Sequence, residues 1–130
     1  MFDAARIDLV AGRYVPHIDY IDFEGFDFTG AALKMQVRDR YNGGQARADL
    51  TQVATAAAEG VRIDQVSEAG GVTTTRIAWR INETTMEAMP KPADVDADLA
   101  LVWDLHITPS GGAKFVAARG KFLVQAGVTE

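Results

Sequence analysis

Every second residue from Leu99 to Ile107 is apolar, and this pattern restricts the fold more strongly than any other feature of the chain. Successive side chains of a β-strand point to opposite faces, so a period of two is typical of a strand with one buried face. The pattern therefore predicts a strand whose core-facing side chains include Leu101, Trp103 and Leu105.

Shorter versions of this pattern recur between turn signals along the chain. Pro16 interrupts the segment 14–22, which predicts an edge or bulged strand because proline cannot donate to a ladder. One helical turn is expected around Met86 and Met89. Since helices do not alternate with strands, the sequence predicts an all-β fold for a single domain over residues 1–130. That fold is an antiparallel, immunoglobulin-like β-sandwich with seven to nine short strands and one short helical turn.

The composition narrows the classes of partner. The 130 residues are 48% hydrophobic, enough for one sizeable core, and carry a net charge of -5. This acidity argues against nucleic acid or an anionic membrane as partner, because both attract basic surfaces. The chain contains no cysteine, which excludes disulfides and thiolate chemistry. The sequence has no secretory signal pattern and no membrane-length apolar segment, so we expect a soluble, cytosolic chain where it is made.

Candidate catalytic residues are few. Asp104 and His106 lie two positions apart on one strand and therefore share a face, as a carboxylate that orients an imidazole would. We expect both to lie on the solvent face, because the odd positions of this strand form the core. No serine or third group accompanies them, so we predict a non-enzymatic protein without catalytic, cofactor-binding or metal-binding residues. A hydrolase that uses this pair is kept as a third hypothesis. His17 is also expected at the surface.

The aromatic residues leave one alternative function open. Trp79 and Trp103 could form a platform that stacks on sugars, although each lies in phase with aliphatic residues and is therefore expected in the core. A carbohydrate-binding or other ligand-binding sandwich module is the alternative hypothesis.

Five short motifs, in order along the chain, resemble those of the small β-sandwich proteins of tailed phages and prophages. The resemblance is to the N-terminal domain of baseplate upper proteins and to related tail-fibre attachment domains. The motifs are Asp27-Phe28-Thr29-Gly30, Met35-Gln36-Val37-Arg38, Trp103-Asp104-Leu105, Gly120-Lys121-Phe122-Leu123-Val124 and Gly127-Val128-Thr129.

This resemblance implies a structural role in a phage or prophage tail, at the baseplate or at a fibre attachment point. The protein would act as an adaptor that docks to copies of itself or to other tail proteins, as a homo-oligomer in the assembled particle. It would lie in the virion tail, and in the host cytoplasm before assembly. In this interpretation Asp27 and Thr29 cap a tight turn, Gly30 adopts a conformation that is costly for other residues, and Phe28 packs inward.

An adaptor needs exposed apolar surface or unpaired strand edges. Two regions of the sequence have apolar residues on both faces or beside polar turns, namely the edge strand within 14–22 and the helical turn. The predicted interface residues are Tyr14, Pro16, Ile18, Tyr20, Met86 and Met89.

Overall fold

A computed structural model describes residues 3–128 and places nine strands and one short helix within that range. The strands are β1 (Ala5–Arg6), β2 (Leu9–Gly12), β3 (His17–Glu24), β4 (Ala32–Arg40), β5 (Gly43–Leu50), β6 (Gly60–Ala69), β7 (Val72–Ile81), β8 (Leu99–Thr108) and β9 (Phe115–Gln125). The helix is α1 (Glu83–Glu87), which lies between β7 and β8. The all-β prediction with one helical turn is confirmed.

The strands form two sheets that pack face to face. The large sheet has six strands in the order β1–β9–β8–β4–β5, with β2 also paired to β9, and the small sheet has the order β3–β7–β6. Neighbouring strands are antiparallel except that β1 and β2 run parallel to β9. The sandwich prediction therefore holds, and the parallel pairing of the two N-terminal strands is the departure from a purely antiparallel arrangement.

The core lies between the sheets and is built from the alternating strands. Leu101, Trp103 and Leu105 are buried with 3%, 1% and 0% exposure, which confirms the predicted core face of β8. The ring of Trp103 lies 5.6 Å from that of Trp79 in the small sheet, centroid to centroid. The two tryptophans therefore join the sheets at the centre of the sandwich, as expected for large aromatic side chains with buried faces.

The turn before β4 adopts the predicted capped structure. Oδ1 of Asp27 accepts the backbone N–H of Thr29 at 3.0 Å and also its hydroxyl, which lowers the pKa of the Asp27 carboxyl. Gly30 has a φ of +78°, which a side chain would strain, and Phe28 is buried. The buried hydroxyl of Thr75 in β7 accepts the N–H of Phe28 at 3.0 Å and so anchors the turn to the small sheet.

The sheets are joined along one side by backbone hydrogen bonds between the segment that follows β5 and the start of β6. Val61 donates to the carbonyl of Thr51 at 3.0 Å, and Val53 donates to the carbonyl of Val61 at 2.9 Å. A Cβ at Gly60 would lie 2.5 Å from the carbonyl oxygen of Thr51, so only glycine fits this corner. The β5–β6 side of the sandwich is therefore closed.

Candidate functional site

Strand β3 forms one edge of the small sheet. Within residues 3–128 its only strand partner is β7, with Ile18 opposite Arg80 and Tyr20 opposite Ala78. In an antiparallel pair alternate residues direct their backbone groups to the partner, so the others direct theirs along the free edge. The N–H of Tyr20 does not bond to β7 but donates to Oδ1 of Asp19 at 2.8 Å. The prediction of an edge strand in this segment is confirmed.

The outer face of β3 presents apolar side chains to solvent. Ile18 is 58% exposed and Tyr20 is 51% exposed, while His17 and Phe23 on the opposite face are buried. The guanidinium of Arg76 lies 4.0 Å from the centroid of the Tyr20 ring, a cation–π geometry. Ile18 and Tyr20 are thus placed where the interface prediction needs them.

Arg76 is also neutralised by a carboxylate. It donates through Nε and Nη2 to the two carboxylate oxygens of Asp22, at 2.8 and 3.1 Å. This bidentate hydrogen bonding lowers the pKa of Asp22. Arg76, the cation beside Tyr20, is therefore already paired with the Asp22 carboxylate.

Tyr14 and Pro16 lie outside the strand, because β3 begins at His17. They belong to the turn between β2 and β3 and are half-buried. A Cβ at Gly127 would lie 2.4 Å from the Tyr14 ring, so this ring packs against the backbone that follows β9. The prediction of a strand over the whole of 14–22 is wrong at its first residues, where the chain passes from one sheet to the other.

Met86 and Met89 are buried, with exposures of 0% and 3%, so the prediction that they form an interface is wrong. Met86 lies in α1 and Met89 follows the helix, and both side chains belong to the hydrophobic core. Arg13 fixes this segment, since its guanidinium donates to the carbonyls of Met89 and Pro90, both at 2.8 Å. The thioethers contribute to packing rather than to surface.

His17 was expected at the surface and is instead 6% exposed. Its Nε2 accepts the indole N–H of Trp79 at 3.1 Å, and its ring meets Phe122 edge to face with centroids 5.1 Å apart. Burial lowers the pKa of His17, while the nearby Asp19 carboxylate opposes this shift. The imidazole is therefore a neutral, buried hydrogen-bond acceptor with a structural role.

Asp104 and His106 lie on the outer face of the large sheet, opposite the core, as predicted. His106 Nε2 is 3.1 Å from Asp104 Oδ2, and both side chains are about one-third exposed, at 31% and 33%. They line an open groove of about 570 Å³ that also includes Arg38, Tyr41 and Arg119. The pair is thus less solvated than its position on a solvent face suggested.

The charged side chains that line the groove are predominantly basic. It is bounded by β4, the β4–β5 hairpin, β8 and β9, and Arg40 contributes a third guanidinium. The Tyr41 hydroxyl donates to the carbonyl of Gly120 at 2.8 Å, a contact that crosses β8 because β4 and β9 flank that strand. Sequence reasoning did not identify this groove. In the sequence, the only indication of the groove is that two strands carry arginines at outward-facing positions. These arginines come together only because β4 and β9 flank β8 in the sheet.

The Asp104–His106 pair can orient and polarise a bound polar group. Serine-type hydrolysis needs a third, nucleophilic side chain within hydrogen-bond reach of the imidazole, and the groove lining contains no serine, threonine or cysteine. Among residues 3–128, no group of three or more His, Asp or Glu side chains is arranged to hold a metal ion. Over the same range no helix has the length and apolarity that a membrane span requires.

Together, the fold and its surfaces define a small β-sandwich with one acidic edge strand and one basic groove. Comparisons with protein-family models, with curated proteins and with solved structures find no match to this chain.

Proposed function

We propose that this protein is a non-enzymatic structural adaptor of a phage or prophage tail, at the baseplate or at a fibre attachment point, that works by protein–protein assembly. The observation that carries the proposal is the edge of β3, which within residues 3–128 has a strand partner only on its β7 side and carries the exposed side chains of Ile18 and Tyr20. The ordered tail-protein motifs in the sequence support the choice of particle.

Docking proceeds by strand addition at this edge. An incoming strand forms main-chain hydrogen bonds with the edge groups of β3, while Ile18 and Tyr20 supply the apolar contacts that select the partner. The eight residues of β3 extend for about 26 Å, long enough for a full additional strand. The partner is a second copy of this chain or another tail protein.

The edge also carries a means of avoiding wrong partners. Asp19 covers the N–H of Tyr20, and Glu24 adds further negative charge to the strand, while the charge of Asp22 is balanced by Arg76. Charged residues on an edge strand disfavour indiscriminate pairing. A partner strand with lysine or arginine opposite these carboxylates would be accepted, so the proposal predicts a basic partner segment.

The two tryptophans on which the carbohydrate-binding alternative depends are buried. Trp79 and Trp103 are 0% and 1% exposed, so neither indole face can stack on a sugar ring. Tyr20 is exposed, but Arg76 lies against its ring. Assembly therefore accounts for the exposed residues better than sugar stacking does.

The test compares two lysine substitutions of exposed apolar residues. Ile18→Lys places a cation on the proposed docking edge, whereas Val95→Lys makes the same charge change in the loop between α1 and β8, where Val95 is 70% exposed. Self-association is measured by analytical ultracentrifugation at high protein concentration. Binding to the proteins encoded beside this one is measured by co-purification.

We expect Ile18→Lys to weaken the association at least tenfold and Val95→Lys to leave it unchanged. A wild-type protein that stays monomeric and binds none of the neighbouring gene products would reject the adaptor proposal. So would an interface that buries less than about 1,000 Å² or leaves β3 uncovered.

A further inference from the structure

The groove on the large sheet concentrates positive charge in an acidic protein. Arg38, Arg40 and Arg119 face it together with a single carboxylate, that of Asp104, although the whole chain carries a net charge of -5. Guanidinium groups with converging positions are the usual protein ligands of carboxylate and phosphate oxygens. The local excess of positive charge therefore favours an anion at this place.

Arg119 is the group in the groove whose hydrogen bonding is incomplete. Within the described part of the chain, its Nε is the buried side-chain nitrogen or oxygen that lacks a hydrogen-bond partner. Asp104 is its direct cross-strand neighbour in the β8–β9 register, yet the Asp104 carboxylate lies 3.1 Å from His106. A buried guanidinium N–H without an acceptor is unfavourable, so it marks a place for an external acceptor.

A second arginine–tyrosine pair in the same molecule shows what a satisfied arrangement looks like. On the small sheet, Arg76 lies against Tyr20 and is bound by both oxygens of Asp22. On the large sheet, the guanidinium of Arg119 lies 6.0 Å from the centroid of the Tyr41 ring. Asp22 and Arg76 form an ion pair at 2.8 Å, whereas no residue among 3–128 forms an ion pair with Arg119. Asp104 holds the cross-strand position that Asp22 holds in the first arrangement, but its carboxylate contacts His106 and leaves Arg119 without an ion pair among the described residues.

The groove is also held in shape before any ligand arrives. The Tyr41 hydroxyl is tied to the carbonyl of Gly120 on β9. Arg38 donates from Nε to Oε1 of Gln36 at 2.9 Å and from Nη1 to the carbonyl of Gly44 at 3.2 Å, which orients its guanidinium. A volume of about 570 Å³ falls within the range of small-molecule sites.

We propose that this groove is a binding site for a small organic anion, whose carboxylate or phosphate group is held by Arg119 with Arg38 and Arg40. The Asp104 carboxylate lies beside Arg119 as its cross-strand neighbour and repels a second negative group, while the Asp104–His106 pair favours neutral, hydrogen-bonding parts of the ligand. The net negative charge of the protein likewise disfavours polyanions. The site lies on a different sheet from β3 and is independent of the docking edge.

The test is a titration with three probes in low-salt, phosphate-free buffer, followed by NMR amide shifts and calorimetry. Glucose 6-phosphate and glucuronate carry the two candidate anionic groups, and glucose is the uncharged comparator. We expect saturable binding of at least one anionic sugar, with shifts centred on residues 38–43, 102–106 and 116–120, and no binding of glucose. The two anions distinguish a phosphate ligand from a carboxylate ligand.

Three variants assign the site. Arg119→Gln is expected to weaken binding at least tenfold, and Arg76→Gln, which alters the matched pair on the small sheet, is expected to leave it unchanged. Arg40→Gln, at an exposed position, is expected to weaken binding several-fold and keeps the test decisive if Arg119→Gln does not fold. The proposal is overturned if neither anion binds saturably at 10 mM, if glucose binds equally well, or if Arg76→Gln weakens binding as much as the groove variants.

Discussion

The hydrogen bond between His17 and Trp79 can be tested with a replacement that removes the acceptor and keeps an aromatic ring. In His17→Phe the edge-to-face contact with Phe122 is retained, while the buried indole N–H of Trp79 loses the Nε2 acceptor that now lies 3.1 Å away. A buried donor left without a partner costs about 1–3 kcal/mol. For a domain of this size about 4 °C of melting temperature corresponds to 1 kcal/mol, so a decrease of about 4–12 °C is expected.

The assay is urea unfolding at pH 7.5, with the double variant His17→Phe/Trp79→Phe as the control. The double variant no longer carries the indole N–H, so its loss of stability should be smaller than the sum of the two single losses by about 1 kcal/mol. A His17→Phe protein as stable as the wild type, or additive losses in the double variant, would refute the assigned role of this hydrogen bond.

The same measurement has an expected pH dependence. Burial lowers the pKa of His17 below its ordinary value of 6.5 in the folded state. Between the lowered pKa and 6.5 the unfolded chain binds the proton more readily, so the histidine's contribution is complete above pH 6.5 and decreases as the pH falls below it. The stability difference between wild type and His17→Phe should therefore narrow from pH 7.5 to pH 5. Both proteins contain the same acidic residues, so the titration of carboxylates cancels in this comparison. A constant difference would contradict the neutral, buried state of the imidazole.

Four further substitutions test the core, the strand pairing and the outer face. Trp103→Ala should cost about 3–5 kcal/mol in urea unfolding, because it empties a buried site, and a loss below about 1 kcal/mol would contradict the core assignment. Gly120→Ala should lower the melting temperature by an amount equivalent to about 1–3 kcal/mol. Its new Cβ would lie 1.9 Å from the carbonyl oxygen of Ile7, so an unchanged melting temperature would contradict this close approach. Asp104→Asn and His106→Ala should each change stability by no more than about 0.5 kcal/mol and leave assembly unchanged, and loss of assembly in either variant would contradict docking at β3.

The alternation of apolar residues identified the elements that have one clearly buried face. In β8 the residues at 101, 103 and 105 were predicted inward and are inward, because polar Asp104 and His106 on the other parity left a single solution. The capped turn before β4 was also predictable, since its hydrogen bonds join residues two positions apart.

In strand β3 the alternation of apolar and polar residues does not identify the buried face. Its even positions carry Ile18 and Tyr20 and its odd positions carry His17 and Phe23, so hydrophobicity alone did not choose the buried face. The choice of buried face depends on Trp79 in the neighbouring strand β7. Trp79 lies two residues from Ile81, the residue paired with His17, and its indole N–H donates a hydrogen bond to His17. A polar residue can enter the core when a distant partner satisfies it, and a sequence read locally does not contain that partner.

The basic groove was unpredictable for a related reason. Arg38 and Arg119 are 81 positions apart and become neighbours only because β8 lies between β4 and β9 in the sheet. Sheet order follows from the packing of the whole chain and not from any one segment, so residues that meet across three strands show no common pattern in the sequence.

The parallel pairing of β1 and β2 with β9 has a consequence for the order in which the chain folds. Ala5 pairs with Ala118 and Leu9 with Phe122, so β1 and β2 acquire their partner only after β9 has been synthesised and has paired with β8. Closing so long a loop is entropically costly, and all-β domains rich in distant pairings fold in milliseconds to seconds. Until β9 is in place, the inward side chains of β2 and the unpaired edge of β8 remain open to other chains. During translation this domain is therefore most vulnerable to aggregation just before β9 leaves the ribosome.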